Sequence, residues 1–230
     1  MGDIAEKIYS IAVDGPSGAG KSSLAKAIAA ELHILYVDTG AIYRTIGCYA
    51  RRKGVETADT EAVIALLPEV EIGMCYDAQG LQHMLLHGED VTEEIRLPEM
   101  SLYASAVSAI PEVRAFLLEM QRDFARKSSV IMDGRDIGTV VLPHADVKIF
   151  LKADVEVRAR RREIELQEQG TPRPYKQVLE EMRQRDYNDT HRSAAPLRAA
   201  EDAVIVDTSD LDFQQSKEKL LEIIREKVGL

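Results

Sequence analysis

The run Gly15-Pro-Ser-Gly-Ala-Gly20-Lys21-Ser22 constrains this chain more than any other feature. It matches the GxxxxGK[ST] pattern in full. A short, mostly apolar run over residues 8–13 precedes it, and Leu24, Ala27, Ile28 and Leu32 follow at helical spacing. Glycines let successive backbone N–H groups turn inward around phosphate oxygens with no Cβ in the way. The helix behind the loop adds its partly positive N-terminus. Lys21 supplies a point charge for β- and γ-phosphates, and the Ser22 hydroxyl suits Mg²⁺. A chain built around such a unit is committed to a strand, a phosphate loop and a helix in that order.

The rest of the chain repeats the alternation. Apolar runs at 34–37, 130–132, 147–151 and 203–206 each lie beside a helical segment, with one helix expected over about 41–53 and ended by Gly54. The expected fold class is therefore α/β, a parallel sheet flanked by helices. Two stretches depart from it. Residues 70–74 and 82–86 read as short strands joined through Asp77-Ala-Gln-Gly80, which gives a small antiparallel insertion at about 68–92. Residues 155–192, interrupted by Gly170-Thr-Pro-Arg-Pro174, read as two helices carrying too much charge for a core element and suited to a mobile lid. One domain over residues 1–230 is expected, since the length is about 1.5 times the usual domain of roughly 150 residues.

Twenty-nine Lys and Arg against 39 Asp and Glu leave a net charge of −10, which argues against nucleic acid or an anionic membrane as a partner. With 5% aromatic residues and no basic aromatic stretch, a single-strand binder has little support. No apolar stretch reaches the roughly 18 residues of a membrane span, and the start MGDIAEKIYS lacks the features of a signal peptide. A cytoplasmic monomer is expected. Cys48 and Cys75 are expected as small buried residues rather than a bridge, and no Cys/His spacing suggests zinc.

A triphosphate loop serves switches, motors and small-molecule kinases alike. The guanine-reading NKxD motif needs Asn followed by Lys, and the one asparagine here is Asn188 in Tyr187-Asn-Asp189. The strand-ending acidic pair of motor ATPases is not matched by Asp133-Gly-Arg-Asp136. A kinase remains, and a kinase for an anionic acceptor needs several convergent guanidiniums. Arg44, Arg135, Arg185 and Arg192 stand at strand ends or beside carboxylates in suitable places.

The segments DGPSGAGKSS (14–23), DTGAIYR (38–44), DGRDIGTVV (133–141), KIFLKA (148–153), RDYNDTHR (185–192) and APL (195–197) together resemble the bacterial cytidylate kinases. These are nucleoside-monophosphate kinases of the P-loop class, and the likeness runs over nearly the whole chain. It implies transfer of the γ-phosphoryl of ATP to CMP or dCMP with Mg²⁺, in a core with a helical lid and a monophosphate-binding region, here about 39–115. Gly15, Pro16, Ser17, Gly18, Ala19, Gly20, Lys21, Ser22 and Ser23 would hold ATP, with Arg158, Arg161 and Arg162 closing on it from the lid. Thr39, Tyr43 and Arg44 would line the monophosphate site, and Ser105, Arg114 and Asp136 would read cytosine. Arg135 and Arg185 would grip the acceptor phosphate, Asp189 the ribose, and Arg192 the transferring phosphoryl or the sugar. Catalysis would fall to Lys21, Arg135, Arg185 and Arg192. Asp133 either holds a magnesium-bound water or caps its own turn. Family members often have Gly-Thr or Ser-Thr after the loop lysine, where this chain has Ser22-Ser23.

The base-reading assignment also stands on chemistry. Cytosine offers an N4 donor and acceptors at N3 and O2, so a carboxylate at one end and a guanidinium at the other fit it. Uracil would present O4 to Asp136, acceptor against acceptor.

Overall fold

The computed structural model describes residues 8–78 and 80–230. Along the chain, β1 (Ser10–Asp14), α1 (Lys21–Leu32), β2 (Leu35–Asp38), α2 (Thr39–Arg52) and α3 (Thr60–Leu66) come first. Three short strands follow: β3 (Ile72–Tyr76), β4 (Gln82–Leu86) and β5 (Glu89–Asp90). The helices α4 (Met100–Val107) and α5 (Pro111–Lys127) lead into β6 (Val130–Gly134) and β7 (Val147–Lys152). The chain closes with α6 (Val155–Glu168), α7 (Tyr175–His191), β8 (Val204–Asp207) and α8 (Phe213–Val228). Contacts divide it into two compact units: one runs up to Leu35 and resumes as Ala125–Leu230, and the other is Tyr36–Phe124.

The first unit is built on the parallel sheet, whose strand order is β2-β6-β1-β7-β8. β1 is central, pairing in parallel with β6 from Ser10↔Val130 to Asp14↔Gly134 and with β7 from Ile11↔Val147 to Asp14↔Phe150. β7 carries β8 on its far side. At the other edge the Leu35 N–H donates to the Ser129 carbonyl at 3.0 Å. Ile11, Ala12, Val13, Val130, Ile131 and Met132 are all fully buried. Unbroken apolar runs of this kind belong to strands covered on both faces.

Helix α1 buries Leu24, Ala25, Ile28 and Ala29 and ends where His33 turns left-handed at φ 53°, its N–H donating to the Ala29 carbonyl. Helix α8 is fixed at its start by a reciprocal pair, Asp212 accepting from the Gln215 N–H and the Gln215 side chain accepting from the Asp212 N–H. The highly charged α6 and α7 are less bare than their composition predicts. Ala159, Leu166, Val178 and Met182 form an apolar seam between them, with Val155, Tyr175 and Leu179 against it. Charge occupies the outer faces of both helices, and a narrow stripe is enough to pair them.

The second unit opens on α2, whose N-terminus is capped by the Asp38 carboxylate accepting from the Ala41 N–H. Gly47 lets α4 pack close, since a Cβ there would lie 2.7 Å from Tyr103 Cβ. The antiparallel insertion is present, but as three strands, β3-β4-β5, and its first strand starts two residues later than the sequence predicts. The register Tyr76↔Gln82, together with the Tyr76 hydroxyl donating to the Tyr36 carbonyl at 2.8 Å, fixes where β3 ends. The two-residue, charged β5 leaves no apolar signal. Of the turn expected at Asp77–Gly80, Gln79 lies outside the described residues, as do residues 1–7 of the expected leader-free start. Cys48 is buried as expected, whereas Cys75 sits exposed on β3, and both are free thiols. Among the described residues, no helix is long and apolar enough to cross a membrane.

Candidate functional site

The phosphate loop leaves the carboxyl end of the central strand, the edge at which open α/β sheets bind ligands. Gly15, Gly18 and Gly20 all have positive φ, at 147°, 75° and 90°. Gly15 has a second reason to be glycine, since a Cβ would stand 2.2 Å from the Leu151 carbonyl oxygen of β7. Lys21 opens α1, is buried, and donates from Nζ to the Pro16 carbonyl at 2.7 Å. Burial drives its ammonium well below the usual lysine range. The positive charges of Arg135 and Arg185 add to this, while Asp133 and Asp14 oppose it. Ser22 donates its hydroxyl to Asp133 Oδ2 at 2.8 Å. Ser23 lies exposed on the same first turn.

Beyond β6 the turn Asp133-Gly-Arg-Asp136 leads into one turn of π-helix, Ile137–Val141. That widened turn has no sequence signal; such turns recur where function bends a helix. Arg135 donates from Nε to Asp189 Oδ2 at 2.8 Å, which joins the turn to α7. Asp189 is buried, which by itself would raise its pKa, but Arg135, Arg185 and Arg192 outweigh this and hold it below the usual carboxylate range. Arg192 donates from Nε and Nη2 to the Ala195 carbonyl at 2.9 and 2.7 Å, and its Nη2 reaches Asp136 Oδ1 at 3.5 Å. Asp136 is buried. The turn after β6, the end of α7 and the loop lysine thus share one electrostatic neighbourhood.

The lid arginines behave differently from one another. Arg158 is buried and donates to three groups: the Ala153 carbonyl at 2.8 Å, the Ser17 carbonyl at 2.9 Å, and the Asp186 carboxylate, with the shorter contact at 2.6 Å. It ties the phosphate loop to both lid helices. Arg161 donates to the carbonyls of Thr208 and Leu211 at 2.7 and 3.3 Å, and Arg162 pairs with Glu165 at 2.7 Å. Asp186, inside a segment read for other residues, carries a part of this network that the sequence did not reveal. Asp186 is 28 residues from its partner, and no local pattern marks it.

Within the second unit, Thr39 and Tyr43 are buried on α2, and Arg44 donates from Nη2 to Asp38 Oδ2 at 2.7 Å. The Nε of Arg44 is buried with no hydrogen-bond partner among the described residues. Arg114 of α5 donates to the Ser108 carbonyl at 3.0 Å and lies over the Tyr43 ring, 5.4 Å from its centroid. Ser105, half-buried on α4, accepts at its carbonyl from the Ser108 hydroxyl at 3.0 Å. One α4–α5 corner therefore brings Ser105, Arg114 and Tyr43 together. Asp38 is held in turn by the insertion: the Gln82 amide oxygen accepts from the Asp38 N–H at 2.8 Å.

The family model described as Cytidylate kinase matches residues 11–226. The chain belongs to that family. A cytidylate kinase of Caldicellulosiruptor saccharolyticus is 47% identical over 223 residues, covering 97% of this chain and 98% of the relative. One from Solibacter usitatus is 43% identical over 232 aligned positions, covering 99% and 97%. Among solved structures, an uncharacterized protein from Eubacterium ventriosum matches with TM-score 0.52 at 13% identity, over 94% of this chain and 98% of that one. That likeness shows the fold alone. The family membership, by contrast, identifies the chain as a kinase.

Proposed function

We propose that the chain transfers the γ-phosphoryl group of ATP to CMP or dCMP, giving ADP and CDP or dCDP, with Mg²⁺ as cofactor. The observation that carries this reading is the gathering of Lys21 with Arg135 and Arg185, close enough for both guanidiniums to oppose the buried ammonium. Asp133 and Asp14 act against that positive charge and Asp189 pairs with Arg135, and a cluster of cations beside a phosphate loop suits a polyanion. Phosphoryl transfer between two phosphates supplies that polyanion, since negative charge spreads over the oxygens of the transferring group. No general base is required: the acceptor phosphate oxygen is already ionised near neutral pH. Positioning and fixed positive charge carry the rate.

The glycine-rich loop from Gly15 to Gly20 with Lys21, Ser22 and Ser23 would cradle the triphosphate. Arg158 would serve that loop through the Ser17 carbonyl, with Arg161 and Arg162 on the same helix. The Ser22 hydroxyl and the Asp133 carboxylate, already bonded to one another, are two oxygens of the kind a hard cation takes. Among the described residues no cluster of three or more acidic, His or Cys side chains forms a self-sufficient metal cage. A cation held mainly by substrate phosphates and water fits that donor set. Bound there, Mg²⁺ would neutralise charge on the donor phosphates.

On the acceptor side, Arg135, Arg185 and Arg192 would hold phosphate and transferring group, Asp189 the ribose, and Asp136 the cytosine amine. Thr39, Tyr43 and Arg44 would take the monophosphate, and the buried Arg44 Nε has no hydrogen-bond partner among the described residues. Ser105 and Arg114 would also read cytosine.

An ADP-release assay with Mg·ATP and CMP, dCMP, UMP, AMP, GMP or dTMP tests the reading, with a no-acceptor control. Release dependent on CMP and dCMP, and far weaker with the rest, is the expected result. Equal use of UMP would remove the roles given to Asp136 and Arg114. Silence with every acceptor, in folded protein that binds ATP, would replace the kinase with a nucleotide-binding regulator.

A further inference from the structure

The roles above leave open what holds Arg135 and Asp136 in register with the phosphate loop. The β1–β6 ladder ends at the pair Asp14↔Gly134. Past that point β1 turns into the phosphate loop and β6 into the turn bearing Arg135 and Asp136, so sheet hydrogen bonds no longer relate the two. The Asp14 side chain bridges them. It is buried, and both oxygens are used: the Ile137 N–H donates to Oδ1 and the Gly138 N–H to Oδ2, each at 2.7 Å. These donors open the π-turn directly after Asp136.

We propose that Asp14 is a positioning residue for the acceptor: its carboxylate fixes the turn that carries Arg135 and Asp136, and cytosine selectivity depends on it although it touches no substrate. This inference rests on the acceptor roles given above. Three observations converge on it. Two short bonds from one buried carboxylate to adjacent N–H groups fix the turn's orientation as well as its distance. The turn lies tightly against its neighbours, with a Cβ at Gly138 falling 3.2 Å from Lys148 Cδ and 3.4 Å from Asp14 Oδ2. Asp14 also directly precedes Gly15, so one residue begins the donor loop and anchors the acceptor turn.

Asp14→Asn tests this, because an amide replaces one acceptor oxygen by an NH₂ and sets donor against donor at Ile137 or Gly138. The expected result is a fall in kcat/KM for CMP of about 10- to 100-fold. The CMP-over-UMP preference should fall by about tenfold, with KM for ATP within about twofold of wild type. A loss shared equally by CMP and UMP, a rise in KM for ATP to match, or wild-type kinetics would each overturn the proposal. If circular dichroism shows that Asp14→Asn does not fold, Asp14→Glu goes through the same assays. It keeps both acceptor oxygens but displaces them by a methylene, and the same expected split and the same overturning results apply. Wild-type protein is the control. Inactivity on CMP there would overturn the acceptor reading and this inference together, whereas an active wild type with an unchanged ratio in the variant overturns the Asp14 role alone.

Discussion

Lys21 shows how a single residue trades stability for chemistry. Its aliphatic stem is buried, its ammonium donates to the Pro16 carbonyl, and two guanidiniums oppose it while Asp133 and Asp14 favour it. A side chain selected for stability would not be a cation in that place. Lys21→Met should therefore do two things at once. It should lower kcat by about a hundredfold or more, through loss of charge at the transferring phosphate. It should also raise the melting temperature, by a few degrees if about 1 kcal/mol is recovered. Steady-state kinetics and thermal unfolding on the same preparation check both. A variant that is inactive and less stable would mean that the lysine is a structural strut. Normal turnover would remove it from the reaction.

At the level of elements, Gly47 decides how closely α2 and α4 approach. Helix propensity favours alanine over glycine by roughly 0.5–1 kcal/mol. The close approach opposes this: the new methyl would sit 2.7 Å from Tyr103 Cβ and 3.3 Å from the Tyr103 carbonyl carbon. Neither atom is the free end of a flexible chain, and overpacking of this sort costs about 1–3 kcal/mol. Packing should win, so Gly47→Ala is expected to lower stability by about 1 kcal/mol in urea unfolding. A gain would show that the two helices can slide apart without cost. The lid helices illustrate the opposite case. Their seam is thin, and Arg158 and Asp186 add a part-buried ion pair at 2.6 Å that ties α6 and α7 to the loop at Ser17.

At the scale of the whole molecule, the net charge of −10 contrasts with a local gathering of cations. Global charge governs solubility and non-specific association, while buried charge governs what the site accepts. Large exposed apolar side chains such as Leu102, Phe116, Ile164 and Tyr187 are scattered over α4, α5, α6 and α7. Single exposed residues of this kind are ordinary on a monomer surface. Light scattering of the 230-residue chain should accordingly return 25.6 kDa. Twice that mass, independent of dilution, would reveal an interface that covers some of these side chains.

The phosphate loop, the alternation of strand and helix and the break at 170–174 were legible in the sequence because each depends on neighbours a few residues away, whereas α2 starts at Thr39, two residues before the expected start. Glycines where φ must be positive and apolar runs where both faces are covered are local requirements. The second strand of the insertion was legible for the same reason, and its third strand was not, because two charged residues pair only when a partner strand is already present. The site divides along the same line. Lys21 is chosen by the phosphate-loop motif and Arg135 by its place directly after a strand, while Asp136 comes from the family resemblance. Asp14 holding Ile137 and Gly138, Arg158 reaching Ser17 and Asp186, and Arg135 meeting Asp189 join residues 28 to 141 positions apart. Sequence spacing carries no information about such contacts. Only the folded sheet, by setting β1 beside β6 and β7, brings these charges close enough for burial and Coulomb forces to act on them.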